Sequence, residues 1–167
     1  MKIILPVLII VLGFLSACAN SSSESTIAKG VLEDNKKVAV SYIEEVVNHR
    51  KLELVEEIFS PDYVRHEWNG NTTSNIKDGS LIAFLKYLFK AFPDLHYTIV
   101  DVIAEGDMVA LNLLAKGTHQ NEFLGFEASG STVTYQEMFF FKLKNQKIVE
   151  GWSVVDVEQV KAQLEKH

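Results

Sequence analysis

The amino-acid sequence predicts an α+β fold, a cone-shaped barrel in which N-terminal helices cover one face of a curved antiparallel sheet. Three observations predict it. Helix-period apolar stripes fill the chain up to Phe92, whereas Leu95 to Asp156 is strand-like throughout. Helices first and long strands afterwards is the order of an α+β fold, not of alternating βα units. The links Glu105-Gly106-Asp107 and Lys144-Asn145-Gln146 are of hairpin length, which requires antiparallel neighbours. A long twisted sheet must cover one apolar face, and the early helices are the available cover. Sheet and helices then enclose a cone, and its open mouth is the natural pocket.

The chain opens with Met1-Lys2 and an apolar run from Ile3 to Phe14, followed by Leu15-Ser16-Ala17-Cys18. A charged start, a short apolar core and small residues before a cut describe a secretory signal peptide over residues 1–17. The run is shorter than the roughly 20 apolar residues that a membrane-spanning helix needs. Leu-Ser-Ala-Cys resembles a bacterial lipobox, which implies cleavage before Cys18 and lipid attachment to its sulfur. The other reading is an ordinary signal peptide with an incidental cysteine. Acylation would anchor the protein to a membrane of the cell envelope through lipid chains rather than a helix. Without the leader 150 residues remain, enough for one domain with its own core, and the loss of Lys2 takes the net charge from −6 to −7. The acidic balance and the lack of a basic run exclude nucleic acid as the expected partner. Cys18 is the only cysteine, so no internal disulfide is expected.

Residues 18–31, with Ser21-Ser22-Ser23, are small and polar and read as a flexible tether. The folded domain is expected over residues 32–167. From Asp34 to Asn48, Val38, Ala39, Tyr42, Ile43, Val46 and Val47 form one stripe of an amphipathic helix. A shorter helix follows over Leu52 to Phe59, and Pro61 is expected to end it. Tyr63 to Trp68 reads as a short strand and Gly70 to Ser74 as a loop. A third helix is predicted from Ile76 to Ala91, capped through Asn75 and Asp78, with the stripe Leu81, Phe84, Leu85, Leu88 and Phe92. Strands are predicted at Leu95–Ala104, Met108–Thr118, Thr132–Leu143 and Ile148–Val155, with a long glycine-bearing loop between the second and third. Val157, Val160 and Leu164 mark a short terminal helix.

Several segments together resemble the SnoaL-like polyketide cyclase (ester cyclase) branch of the nuclear transport factor two superfamily. They are Tyr63-Val-Arg-His66, Phe84 to Asp94, Glu105-Gly-Asp107, Gly117-Thr-His119, Glu122-Phe-Leu-Gly125 and Lys147-Ile-Val-Glu-Gly-Trp152, closing with Asp156. The resemblance implies a cone-shaped barrel with an interior pocket, and cofactor-free acid–base chemistry of the kind that cyclises polyketide esters. Phe139 stands where family members often carry an aspartate, and Gly151 where a histidine is frequent.

The resemblance points to His66 and His119 as catalytic histidines, and Asp156 joins them. A carboxylate in an apolar cone would have a raised pKa and could move a proton next to a carbonyl. Asp156-Val-Glu-Gln159 equally has the spacing of a helix-capping box. His66 could instead be a solvent-side strand residue, and His119 a turn residue. Gln136 and Met138 share one face of their strand, and Tyr135, Glu137, Phe139 and Phe141 the other; either face could line the cone. Gln136, Met138, Trp152 and Phe84 are the expected ligand contacts, and an inward Glu137 would rival the missing aspartate. No metal-ligand spacing, nucleophile elbow, P-loop or dinucleotide turn is present, so no cofactor or metal is expected. The expected partner is a small apolar organic molecule, turned over by acid–base chemistry of the cyclase or isomerase type or only held. The run Met138 to Phe141 places large apolar groups on both sheet faces, which predicts a homodimer.

Overall fold

The structure is a computed structural model that describes residues 17–66 and 72–165. The leader expected up to Ala17 lies almost wholly outside the described residues, as do the side chain of Cys18 and the strand end Glu67-Trp68. Two compact units divide between Val31 and Leu32. The first is described only from Ala17, and there it is helical. The second carries the sheet and the core.

Helix α1 runs Ala17–Ser41 and continues as a π-wound segment, Tyr42–Asn48, closed by an i→i−5 bond from His49 N to Glu44 O (3.0 Å). The stretch expected as a tether is therefore helical in the structure. Extending a formed helix costs little per residue, so the serines do not stop it. The predicted stripe is buried at Ala39, Tyr42, Ile43, Val46 and Val47. At the end of the π segment, Asn48 pairs with the strand backbone: its Nδ2 donates to Tyr97 O (3.0 Å) and its Oδ1 accepts from Tyr97 N (2.8 Å). Helix end and strand are thereby fixed in register at Tyr97.

A single 3₁₀ turn, Leu52–Leu54, leads into α2, Val55–Ile58, and β1 follows at once over Phe59–His66. Pro61 thus lies inside a strand rather than after a helix. It sits where the pairing of β1 with β6 slips, between Phe59 and Val64, and a bulge tolerates a residue with no N–H to donate. Strand β2, Thr72–Asn75, replaces the expected loop and pairs antiparallel with β1. Asn75 and Asp78 build the turn before α3, with Asn75 Oδ1 accepting from Asp78 N and Asp78 Oδ1 from Ser80 N. Helix α3 starts only at Ser80, because Gly79 ahead of it is left-handed (φ 73°), and ends at Ala91.

Strands β3 (His96–Glu105), β4 (Met108–Thr118), β5 (Thr132–Lys144) and β6 (Lys147–Val155) form the antiparallel body of the sheet. The full order is β2-β1-β6-β5-β4-β3, curved and unclosed, with β1 parallel to β6. The sheet is therefore mixed, not wholly antiparallel. Alternation along β5 buries Tyr135, Glu137, Phe139 and Phe141, and Leu111, Leu113 and Val109 of β4 point the same way. The helices cover this face, on which Tyr42 meets Phe59, Phe139 and Phe141 edge-on at 5.0–6.1 Å. Helix α4, Val157–Leu164, is held by Gln163, whose amide exchanges two 3.0 Å bonds with the backbone of Thr134.

Candidate functional site

The inward face of the sheet and the helices above it enclose a cavity of about 500 Å³, within the usual range for small-molecule sites. Its apolar roof comes from Phe84, Leu85 and Leu88, which span about one turn of α3. Phe123 and Leu124 of the 119–131 loop close one side, and Val157 and Val160 of α4 another. The floor is Tyr42, Tyr97, Tyr135 and Phe139, with Ser153 and Val155 beside them. Arg65 and Ser74, direct neighbours across β1 and β2, also line it.

Beneath this floor lies Glu137, 7% exposed. Tyr97 Oη donates to its Oε2 at 2.7 Å, and Tyr135 Oη lies 3.1 Å from Tyr97 Oη. Ser153 is a further hydrogen-bond partner of the carboxyl, and its Oγ accepts from Arg65 Nη2 at 2.5 Å. Burial pushes the Glu137 carboxyl above the ordinary glutamate range, opposed in part by the Tyr97 hydrogen bond and the Arg65 charge. Burial also raises the phenols of Tyr97 and Tyr135, with the nearby Glu137 charge adding to both.

A phenol carries one hydrogen, which gives this chain a direction. While Tyr97 donates to an ionised Glu137, Tyr135 donates to Tyr97. A protonated Glu137 that donated to Tyr97 would free the Tyr97 hydrogen for Tyr135, and that of Tyr135 for the cavity. The buried carboxyl thus communicates with the cavity through two phenols, both of which line it.

The residues expected to carry catalysis do not converge here. Asp156 is exposed, and its Oδ1 accepts from Gln159 N at 2.9 Å: it is the cap of α4, as the capping-box spacing allowed. His119 is fully buried behind the lining, against Phe92 at 5.4 Å. Its Nδ1 accepts from Ser129 N (3.2 Å) and lies 3.1 Å from Ser129 Oγ, while its backbone pairs with Ser131 and Gly130. It closes the neck of the 119–131 loop and so positions Phe123 and Leu124. His66 borders the cavity, but its ring turns to the other face of β6, stacked on Trp152 at 5.0 Å with Nε2 3.0 Å from Glu150 Oε2.

Of the expected ligand contacts, Phe84 lines the cavity. Trp152, Gln136 and Met138 do not, because β-strand alternation places them on the outer face once Tyr135, Glu137 and Phe139 point inward. Arg65, Ser153, Tyr97 and the Tyr135–Glu137 pairing were not singled out from sequence as one site. The signal for part of it existed: Tyr135, Glu137 and Phe139 share a face, two positions apart. Tyr97 and Arg65 come from β3 and β1, and no local pattern ties them to β5. Among the described residues, no group of three or more His, Cys, Asp or Glu is placed to hold a metal ion.

A curved six-stranded sheet whose helix-covered face closes over an apolar cavity, with a buried carboxyl beneath its floor, defines a cone fold of the α+β class. The family model described as SnoaL-like polyketide cyclase matches residues 37–164, and the chain belongs to that family. Among solved structures, the chain is similar to AclR of Streptomyces galilaeus, described as a candidate hydroxylase. They share 26% identity and a TM-score of 0.72, over 81% of this chain and 98% of that one. IdmH of Streptomyces antibioticus, described as a candidate polyketide cyclase, shares 25% identity with a TM-score of 0.67, over 78% of this chain and 97% of that one. A SnoaL-like polyketide cyclase candidate from Jannaschia sp. CCS1 has the same fold at 22% identity, with a TM-score of 0.74 over 81% of this chain and 94% of that one. No curated protein matches the chain at the sequence level.

Proposed function

We propose that the cavity binds a small, largely apolar organic molecule carrying a carbonyl group and moves a proton at the neighbouring carbon without a cofactor. The observation that carries this reading is Glu137, a buried carboxyl linked by Tyr97 and Tyr135 to an apolar cavity. Proton transfer of this kind needs a group whose pKa lies near the working pH, and burial moves Glu137 in that direction. The C–H proton passes to the oxygen of Tyr135 as Tyr135 gives its own to Tyr97 and Tyr97 gives its own to Glu137. The C–H electron pair becomes an enolate, and its return to carbon, by reprotonation or attack on a second carbonyl, gives isomerase or cyclase chemistry. Kinship with proteins described as polyketide cyclases agrees with enolate chemistry.

The test is exchange of the hydrogens next to the carbonyl of 2-tetralone in deuterated buffer. The wild type is expected to accelerate exchange over buffer, and Glu137→Gln to lose about 10²-fold or more of that rate. A folded Glu137→Gln that exchanges as fast as wild type would remove Glu137 from the chemistry.

An envelope address is the second part of the proposal, supported by Leu15 to Cys18. Metabolic labelling with a fatty-acid probe should tag the wild type and spare Cys18→Ser; equal labelling of both would refute acylation at this cysteine.

A second reading of the domain, as a self-associating module, is favoured by the outer face of the sheet. Ile103, Ala110, Phe140 and Trp152 lie in one cross-strand row, with Met138 and Val154 paired beside it. Ile103 is 67% exposed, Met138 44% and Val154 43%. An apolar face of this extent fits a second copy of the chain, packed about a two-fold axis. The two readings are compatible, because the cavity lies on the opposite face of the sheet.

A further inference from the structure

The polar corner of the cavity points to a feature of the ligand that the proton-transfer reading leaves open. Arg65 and Ser74 face each other across β1 and β2, and both line the cavity. The Arg65 guanidinium lies 5.2 Å over the ring of Phe84 and gives one Nη2 hydrogen bond, to Ser153. Among the described residues no carboxylate lies within ion-pair distance of it, Glu150 being engaged by His66 and Lys142. A guanidinium has five N–H donors, and among the described residues most of those of Arg65 have no hydrogen-bond acceptor. Ser74 is 6% exposed, and its buried Oγ has no hydrogen-bond partner among the described residues. A buried hydroxyl without a partner is costly in an apolar wall, and a ligand oxygen removes that cost.

Resting on the reading of the cavity as a small-molecule site, we infer that Arg65 and Ser74 form an anion subsite. The ligand is then an apolar body bearing a carboxylate or an equivalent anionic oxygen. Arg65 supplies a planar pair of donors to that oxygen group and Ser74 a third. Phe84, under the guanidinium, holds its plane and keeps water from one side. Glu137 is the one buried carboxyl near Arg65 among the described residues; it feels the Arg65 charge, but Ser153 bridges the two and they make no direct ion pair. The anionic end of the ligand is thus fixed at the β1–β2 corner, and its apolar body extends toward Tyr135 and α3.

Isothermal titration of the full chain with 2-naphthoate and with the isosteric, neutral 2-naphthamide tests this. Wild type is expected to bind naphthoate about tenfold or more tightly than naphthamide at neutral pH. Arg65→Met should bring the two probes to equal affinity, Arg65→Lys should keep part of the preference, and Ser74→Ala should reduce it several-fold. Equal affinities in the wild type, with naphthamide bound, would overturn the anion subsite and leave the cavity reading standing. A preference undiminished from wild type in Arg65→Met, or undiminished in both Arg65→Lys and Ser74→Ala if the methionine variant does not fold, would overturn it as well. Failure of both probes to bind would overturn the cavity reading and the subsite with it.

Discussion

Glu137 weakens the fold at neutral pH by the same property that suits it to proton transfer. Burial raises its folded pKa above the unfolded value, so in the window between the two the unfolded chain has already released its proton while the folded chain keeps it. Below the unfolded pKa the group makes no difference; as pH rises through the window, stability falls. Thermal melts between about pH 4 and about pH 8 should show this decline in the wild type and not in Glu137→Gln. At neutral pH the glutamine variant should be at least as stable, since its carbonyl can still accept from Tyr97. A variant that melts lower at neutral pH with the slope intact would contradict the assignment. Neighbouring departures from the family pattern have packing reasons. A Cβ on Gly151 would meet Tyr63 Oη at 2.6 Å and Phe141 at 3.2 Å, so a histidine there would require both buried rings to shift. Phe139 lines the cavity floor, and the carboxyl of this strand stands two residues earlier on the same face.

At the scale of elements, Asp156 caps helix α4, and the proposed proton transfer does not use it. Asparagine caps about as well as aspartate, so Asp156→Asn should be near neutral in stability. Asp156→Ala should cost roughly 0.5–2 kcal/mol in chemical denaturation. Both variants should exchange 2-tetralone at the wild-type rate, and loss of exchange in a folded Asp156→Asn would return this residue to the site. The elements were largely legible where their signals are local. Strand β4 has the bounds that its alternation predicts, and the buried side of the first helix is the predicted stripe. Pro61 was misread because a helix stop and a strand bulge share the same missing N–H. The parallel pairing of β1 with β6 joins segments far apart in sequence and leaves no local trace. Strand alternation placed Glu137 opposite Gln136 and Met138, but only the packed helices choose which set faces inward.

For the molecule as a whole, the sheet has two faces and one is taken up by the cavity and helices. Sedimentation of the full chain should show a dimer, and Ile103→Lys, on the outer face, should shift it toward monomer without reducing proton exchange per chain. A wild type that stays monomeric at high concentration would contradict self-association through this face. Above all, we propose that the cavity works as an acid–base site through the buried carboxyl of Glu137. The pH–rate profile of 2-tetralone exchange tests that claim most directly. The exchange rate should rise with pH through a midpoint above the ordinary glutamate range, with that limb absent in Glu137→Gln. A rate that is flat across that range, or a limb that survives in the glutamine variant, would contradict it.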